Sequence, residues 1–362
     1  MTNIKKKVAV GLSGGVDSSV AAALLQQKGY SVIGVSMMIF DESLTLNEDE
    51  RHACYGPGEK EDIAFAESVC NKLGIPFHTI DLRKEYRVHV INHFKNQYLA
   101  GKTPNPCIVC NQRLKFGFLL ERAKKSGVDF EFFATGHYAR VEKANGRHLL
   151  KMAIDEEKDQ SYFLYTLTPK QLTRVLFPVG EFKKQEVRKI AKSLGLTTAE
   201  RPESQDFIAG GDYCLLFKEN EKKAGNIVDE CGNILGKHRG IIHYTIGQRR
   251  GLGIAASRPL YVIKIDAPNN QIVVSGRERL ASKGLIAGEI NLIAVDKLDR
   301  PYPARVKIRL NQKAVDATLF PYKNRKIKIR FGEPQLSVCP GQHAVFYSED
   351  KVIGGGVIQE AL

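Results

Sequence analysis

The chain has 362 residues, 43% of them hydrophobic, with 54 Lys and Arg against 40 Asp and Glu, for a formal charge of +14 and a pI near 9.3. That length exceeds one ordinary domain, the apolar content excludes general disorder, and the longest apolar runs, such as Ile33–Phe40, fall far short of a membrane span. The cationic excess points to a polyanionic partner, nucleic acid ahead of an anionic membrane, and seven irregularly spaced cysteines fit reduced thiols in the cytoplasm better than a disulfide scaffold.

In chain order, KVAVGL reads as a strand, SSVAAALLQQKG as a helix closed by Gly29, and SVIGVSMMIF as the next strand. EKEDIAFAESVCNKLG is an amphipathic helix ending at Gly74, and PFHTIDL is a strand. Cys107 and Cys110 then stand in a proline-stiffened loop, GKTPNPCIVCNQRLKF. QRLKFGFLLERAKKSG is helical, DFEFFATGH is strand and loop, and KKQEVRKIAKSLGL places Val187, Ile190, Ala191 and Leu194 on one helix face. This alternation predicts an α/β fold with an N-terminal doubly wound parallel sheet. Beyond about residue 210 the texture becomes β: PLYVIKIDA, QIVVSG, ARVKIRL, RKIKIRF and HAVFYS are separated by turns. The expected domains are therefore 1–210, an α/β domain, 211–275, a small β-rich linker domain, and 276–362, a β-barrel.

The stretch VAVGLSGGVDSSVAAALL sets Gly11, Leu12, Ser13, Gly14, Gly15, Val16, Asp17 and Ser18 between the first strand and the first helix. Glycines let the backbone approach a ligand, and amides at a helix N-terminus favour phosphate oxygens. Ser13 and Ser18 add hydroxyls, and Asp17 is the candidate magnesium ligand. The Lys-Ser/Thr ending of a Walker A loop is missing. The motif resembles the SGGxDS signature of PP-loop ATP pyrophosphatases, which implies cleavage of ATP, with Mg2+, to AMP and pyrophosphate.

From Arg300 to Arg330 there are ten Lys or Arg and one acid, Asp316. In ARVKIRL, Arg305, Lys307 and Arg309 share one face of a strand pattern; in KIKIRF, Lys326, Lys328 and Arg330 do the same. An apolar inner and basic outer sheet face suits contact with a phosphate backbone.

Several longer stretches resemble one family, the bacterial tRNA-specific 2-thiouridylases: GKTPNPCIVCNQRLKF, ATGHYAR, KDQSYFLYTL, LFPVGE, HYTIGQRRGLGI and PGQHAVFY, in the family's order over nearly the whole chain. The resemblance implies a sulfurtransferase that adenylates the C2 oxygen of the wobble uridine in the tRNA anticodon loop and replaces it with sulfur. It also implies a sulfur-donor or relay protein, or sulfide, as a second partner, and no membrane. By resemblance, Cys110 takes the position of the first catalytic cysteine. Met37 is an adenine-side contact, and Gly136 and His137 lie near nucleotide and tRNA. Lys158, Asp159 and Gln160 form a tRNA-contacting segment, and Gln342 is a further tRNA contact. Arg309 belongs with the basic face that would meet RNA.

Two departures from the pattern concern the thiols. Cys107 stands where the family commonly has aspartate, and the usual second catalytic cysteine is missing from RPESQDFIAGGDYCLLF, with none beside Phe207. Three arrangements restore the sulfur chemistry. Cys107 can partner Cys110 directly. Cys214 can serve as a displaced second cysteine. Or Cys107, Cys110 and Cys54, the last in a Gly/Pro loop after the second strand, can ligate an iron–sulfur cluster with one open iron. The rival functions are a PP-loop amidotransferase or ligase acting on a small molecule, which needs neither the paired cysteines nor a basic β domain, and an RNA-binding adaptor.

Overall fold

The structure, a computed structural model, describes residues 5–41, 53–201 and 206–362. The chain divides into two compact units: one formed by Met1–Val90, Cys107–Asp212 and Asp350–Val352, the other by Ile91–Pro106, Tyr213–Glu349 and Ile353–Leu362.

The first unit is built on a parallel sheet. Its strands β1 (Lys7–Gly11), β2 (Ser31–Met38), β4 (Phe77–Asp81), β5 (Phe132–Thr135) and β8 (Val175–Leu176) lie in the order β4-β2-β1-β5-β8. β1, the central strand, buries Val8, Ala9 and Val10 completely. Helix α1 (Val16–Gln27) carries Val20 and Ala21–Ala23 against it; these small side chains let a helix buried on most of its circumference sit close to the sheet. Helix α2 (Glu59–Leu73) and the helix Lys184–Ser193 complete this core through Ala66, Val69, Cys70, Val187 and Ala191. Cys70 is fully buried, and desolvation pushes its thiol up to about 12, as suits a small core hydrophobe.

Two features depart from the expected order. An antiparallel hairpin, β6 (Ala139–Ala144) and β7 (Arg147–Met152), turns at Asn145 and Gly146, both at positive φ. A short strand β3 (Ala53–Tyr55) pairs in parallel with β9 (Asp206–Ile208), so Cys54 belongs to a strand and not to a loop.

The cysteine segment also differs from the expectation. Pro106–Val109 is the first turn of a helix that continues as a π-helical stretch, Cys110–Phe118, and then as Leu119–Lys125. Proline at a helix start loses no intrahelical bond, so the prolines that read as a loop signal end just where the helix begins.

In the second unit, β10 (Gly225–Val228), β11 (Ile234–His238), β12 (Tyr261–Asp266) and β13 (Gln271–Ser275) form a sheet ordered β11-β10-β13-β12. The last six strands are β14 (Ala281–Leu292), β15 (Tyr302–Lys307), β16 (Val315–Tyr322), β17 (Lys326–Leu336), β18 (His343–Ser348) and β19 (Lys351–Ala361). Their order β14-β17-β16-β15-β18-β19 closes on itself through β14–β19 pairing. The barrel interior holds Leu285, Val306, Leu319, Ile329 and Phe346, all fully buried. No helix among the described residues is long and apolar enough to cross a membrane.

Candidate active site

A cavity of about 260 Å³ opens at the C-terminal ends of β1, β2 and β5, where ligands bind in open α/β sheets. Gly11, Leu12, Ser13, Gly15, Val16, Asp17, Ser18, Met37, Gly136, His137 and Gln160, all named from sequence, line it. Gly14 stands behind this wall at φ +71, where an added Cβ would lie 2.4 Å from the Asp62 carbonyl oxygen. At Gly136 an added Cβ would meet the Ser18 amide nitrogen at 2.4 Å, so this glycine lets the β5 loop close against the start of α1. Ser18 Oγ accepts from the Ser13 amide at 3.3 Å and donates to the Gly15 carbonyl at 3.2 Å, which holds the loop's curl.

The loop is ringed by cations that local patterning did not reveal. Lys184 Nζ donates to both carboxylate oxygens of Asp17 at 2.8 Å, and Tyr138 OH adds a third bond at 2.8 Å. Arg201 donates to the Gly14 carbonyl at 2.8 Å and to Asp62 at 2.7 Å, with its guanidinium 4.2 Å from the Phe65 ring centre. Lys115 lines the cavity from the π-helical stretch. Asp17 and Lys184 are 167 residues apart and Gly14 and Arg201 are 187 apart, so only tertiary structure pairs them. The arrangement fits a polyphosphate, with backbone amides below and positive charge around. Asp17 and Asp62 are the carboxylates lining the cavity, and both are ion-paired.

His137 Nδ1 shares a 2.7 Å hydrogen bond with Thr135 Oγ1, and its ring sits between Phe116 and Phe177, 6.2 Å from each. Desolvation, then the charge of Lys115, holds its pKa well below the usual histidine range, so it is a neutral donor or acceptor near pH 7. Gln160 Oε1 accepts from the Tyr138 amide at 3.0 Å. Asp159 is buried and accepts from the Ala153 amide and from the Ser161 amide and hydroxyl, which organises the turn. Lys158 is part of the same turn, its amide donating to the Asp155 carbonyl.

The thiols fall into groups. Cys54 lines the cavity and is exposed, while Cys107 and Cys110 are half-buried. Burial raises both of these: Cys107 to about 12, with Cys54 adding and Lys115 opposing, and Cys110 to about 11, with Lys115 opposing and Cys54 adding. Next to Cys110, Asn111 is buried; its Nδ2 donates to the Phe163 carbonyl at 3.3 Å, and its Oδ1 finds no donor among the described residues. Among the described residues no group of three His, Cys, Asp or Glu side chains could hold a single metal ion.

The remaining candidates lie in the second unit. Cys214 Sγ is 3.1 Å from His243 Nδ1. Gln342 Nε2 donates to the Pro104 carbonyl at 3.4 Å, and the Thr103 amide donates to the Pro340 carbonyl, so the GKTPNP and PGQH stretches fold onto each other. Arg309 is not on the strand face expected of it: β15 ends at Lys307, and the Arg309 guanidinium bonds back to the Ser337 carbonyl and lies 3.5 Å from Cys339 Sγ. The basic outer face survives without it. Cross-strand pairs place Phe320 beside Lys328 and Tyr322 beside Lys326, with the Arg330 guanidinium 5.2 Å from the Phe320 ring.

A parallel sheet whose first strand runs into a glycine-serine loop capped by a helix and ringed by cations defines a nucleotide-binding α/β protein of the PP-loop kind. Three family profiles match in succession: the tRNA methyl transferase HUP domain at 6–210, the tRNA methyl transferase PRC-barrel domain at 215–276, and the aminomethyltransferase beta-barrel domain at 282–358. The chain is 47% identical over 362 residues to the tRNA-specific 2-thiouridylase MnmA of Acetivibrio thermocellus, covering 98% of this chain and 99% of that one. It is 45% identical to MnmA 2 of a Thermoanaerobacter species and 44% identical to MnmA of Clostridium botulinum, each alignment covering 99% of both chains. The chain belongs to the tRNA-specific 2-thiouridylase family.

Proposed function

We propose that this protein is a tRNA-uridine 2-sulfurtransferase that spends ATP, with Mg2+, to replace the C2 oxygen of the wobble uridine with sulfur. The observation that carries the reading is one cavity that joins an anion-binding glycine loop to a thiol, Cys54, with Lys115 on its wall five residues beyond Cys110. The uracil C2 carbonyl is amide-like, and its oxygen leaves only once it has been made a phosphate ester. Attack of that oxygen on the α-phosphorus of ATP releases pyrophosphate; sulfur then attacks C2 and AMP departs. The Gly14–Gly15 amides, Arg201 and Lys184 would hold the phosphates, Met37 would flank the base, and Asp17 or Asp62 would meet the magnesium ion. Lys115 favours a thiolate at Cys110 against the desolvation that opposes it. Acting on one base requires drawing it out of the anticodon stack.

The labour divides along the chain: nucleotide and sulfur chemistry in 1–210, and tRNA contact through 211–275 and 276–362, with Lys158, His137, Gln160 and Gln342 as further contacts. The reaction belongs where tRNA, a persulfide-bearing donor protein and reduced thiols coexist, in the cytoplasm. Purified protein given tRNA, ATP, Mg2+ and a persulfide donor is expected to form AMP and pyrophosphate and to yield 2-thiouridine in nuclease digests. Cys110→Ser should lower that yield at least a hundredfold. Full thiolation by this variant would remove Cys110 from the chemistry, and ATP turnover driven by a small acid or ammonia without tRNA would favour a ligase.

A further inference from the structure

Helix α2 packs along β2 and carries two acids where a core-facing stripe calls for apolar side chains. Residues 59, 62, 66, 69 and 73 fall on one helix face at spacings of three and four. Ala66 and Val69 are buried in the sheet core and Leu73 packs against it, yet the stripe opens with Glu59 and Asp62, both half-buried. The helix dipole favours acids in a first turn, which makes them tolerable there but gives no reason for them to face inward. For Asp62 the cavity supplies the reason. It lines the wall, pairs with Arg201 at 2.7 Å, and so holds the guanidinium that binds the Gly14 carbonyl at 2.8 Å.

Glu59 reaches the opposite wall. Its Oε1 accepts from the Ile39 amide at 2.6 Å and from the Phe40 amide at 2.9 Å. These two donors lie just past the end of β2, whose last partners are Met38 and Asp81, with the Leu82 amide closing on the Met38 carbonyl at 2.8 Å. Ile39 is buried, so loss of the carboxylate leaves backbone donors without an acceptor in an apolar setting. Met37, two residues earlier, lines the cavity on this side. At its far end α2 touches the same strand, because an added Cβ on Gly34 would come within 2.4 Å of Cys70 Sγ. The exit of β2 is braced beyond Glu59 too: Phe40 packs edge-on against Tyr55 at 5.1 Å, and Asp41 accepts from Arg87 at 2.8 Å.

We propose that Glu59 is a positioning residue for the nucleotide. Through the Ile39 and Phe40 amides it sets Met37, the wall beside the base, at a fixed separation from the phosphate loop that Asp62 and Arg201 hold from the next turn of the same helix. The assignment rests on the ATP reading above and deepens it. What the position requires is an acceptor oxygen at the right reach. Glutamine keeps that oxygen, whereas aspartate keeps the charge and falls one methylene short. A cavity whose base wall drifts still attracts a triphosphate but discriminates less between adenine and guanine.

The test compares full-length Glu59→Gln, Glu59→Asp and Glu59→Ala with wild type. ATP affinity is read by calorimetry, displacement of ATP by GTP in competition, and KM and kcat from 2-thiouridine formation with tRNA, Mg2+ and a persulfide-loaded donor protein. Glu59→Ala and Glu59→Asp are expected to raise the ATP Kd and KM about tenfold while kcat stays within about twofold of wild type. The excess of GTP needed to displace ATP should fall by about the same factor. Glu59→Gln should remain within about threefold of wild type in each measurement. An ATP Kd and KM unchanged in the Ala and Asp variants, whatever their melting temperatures, would reduce Glu59 to a structural brace and overturn the assignment. A Gln variant as weak as the Ala variant would overturn it as well. Should Glu59→Ala fail to fold, Glu59→Asp carries the comparison with Glu59→Gln. Wild type that binds no ATP would overturn both readings. Wild type that binds ATP and shows the variant pattern in binding, yet makes no 2-thiouridine, would remove thiolation and leave the role of Glu59 standing.

Discussion

At the scale of single residues, the site depends on side chains that are missing as much as on those present. Gly136 abuts the backbone of Ser18, and a methyl group there meets main-chain nitrogen, which cannot swing aside. Gly136→Ala should shift the start of α1 and with it the phosphate loop. The expected cost is roughly 1–3 kcal/mol of strain, read as a lowered melting temperature together with an ATP Kd raised about tenfold or more. Unchanged values of both would mean that the loop has slack the structure does not show. The glycine-serine loop itself was legible because its ligand-binding groups are contiguous. Lys184 and Arg201 were not, because a cation recruited from a distant helix start or loop leaves no local pattern; each looks like one more surface charge until its partner is seen.

At the scale of elements, the strands of the barrel separate two kinds of basic residue. Arg309 faces its own chain, whereas Lys326, Lys328 and Arg330 alternate with buried Ile327, Ile329 and Phe331 along β17 and sit beside Phe320 and Tyr322. Cations interleaved with aromatic rings suit both phosphate contact and base stacking. The double variant Lys328→Glu/Arg330→Glu should weaken tRNA binding several-fold at moderate salt and flatten the plot of log affinity against log salt by about one to two. An unchanged slope in filter binding would place the tRNA elsewhere. The KIKIRF alternation made this face legible, since period-two patterning survives in any sheet. The cysteine segment was misjudged because Pro104 and Pro106 mark a loop and a helix start equally well. The β6–β7 hairpin was missed despite a strong signal, Asn145–Gly146, whose left-handed pair suits a two-residue turn between Ala144 and Arg147.

For the whole molecule, the parallel sheet, the β-rich second half and the closing barrel all followed from the change of hydrophobic period near residue 210. The partition of the chain between its two units did not, because it depends on which segments return to which core. One measurable property of the complete fold is its response to acid. His343 is buried, and desolvation, then the charge of His93, lowers its pKa to about 3. In the unfolded chain it titrates near 6.5, so its contribution to stability is complete above that pH and is lost as pH falls toward 3. The expected loss is about 1.4 kcal/mol per pH unit for this one proton. His343→Asn should therefore show a shallower fall in unfolding free energy between pH 6.5 and 4.5 than wild type. Parallel curves would show that His343 takes up its proton in the folded state.

The return of Asp350–Val352 to the first unit has a bearing on biogenesis. Asp350 pairs with Arg140 at 2.8 Å and with Lys151 at 3.0 Å, and its carbonyl accepts from the Met152 amide. A ribosome makes the nucleotide-binding half first, yet Asp350, which fastens its hairpin, emerges 210 residues after Arg140. The β6–β7 hairpin therefore waits for its last partners until the barrel strands β14–β18 have been made. A chain that stops before Asp350 would have an intact ATP loop and an unanchored edge.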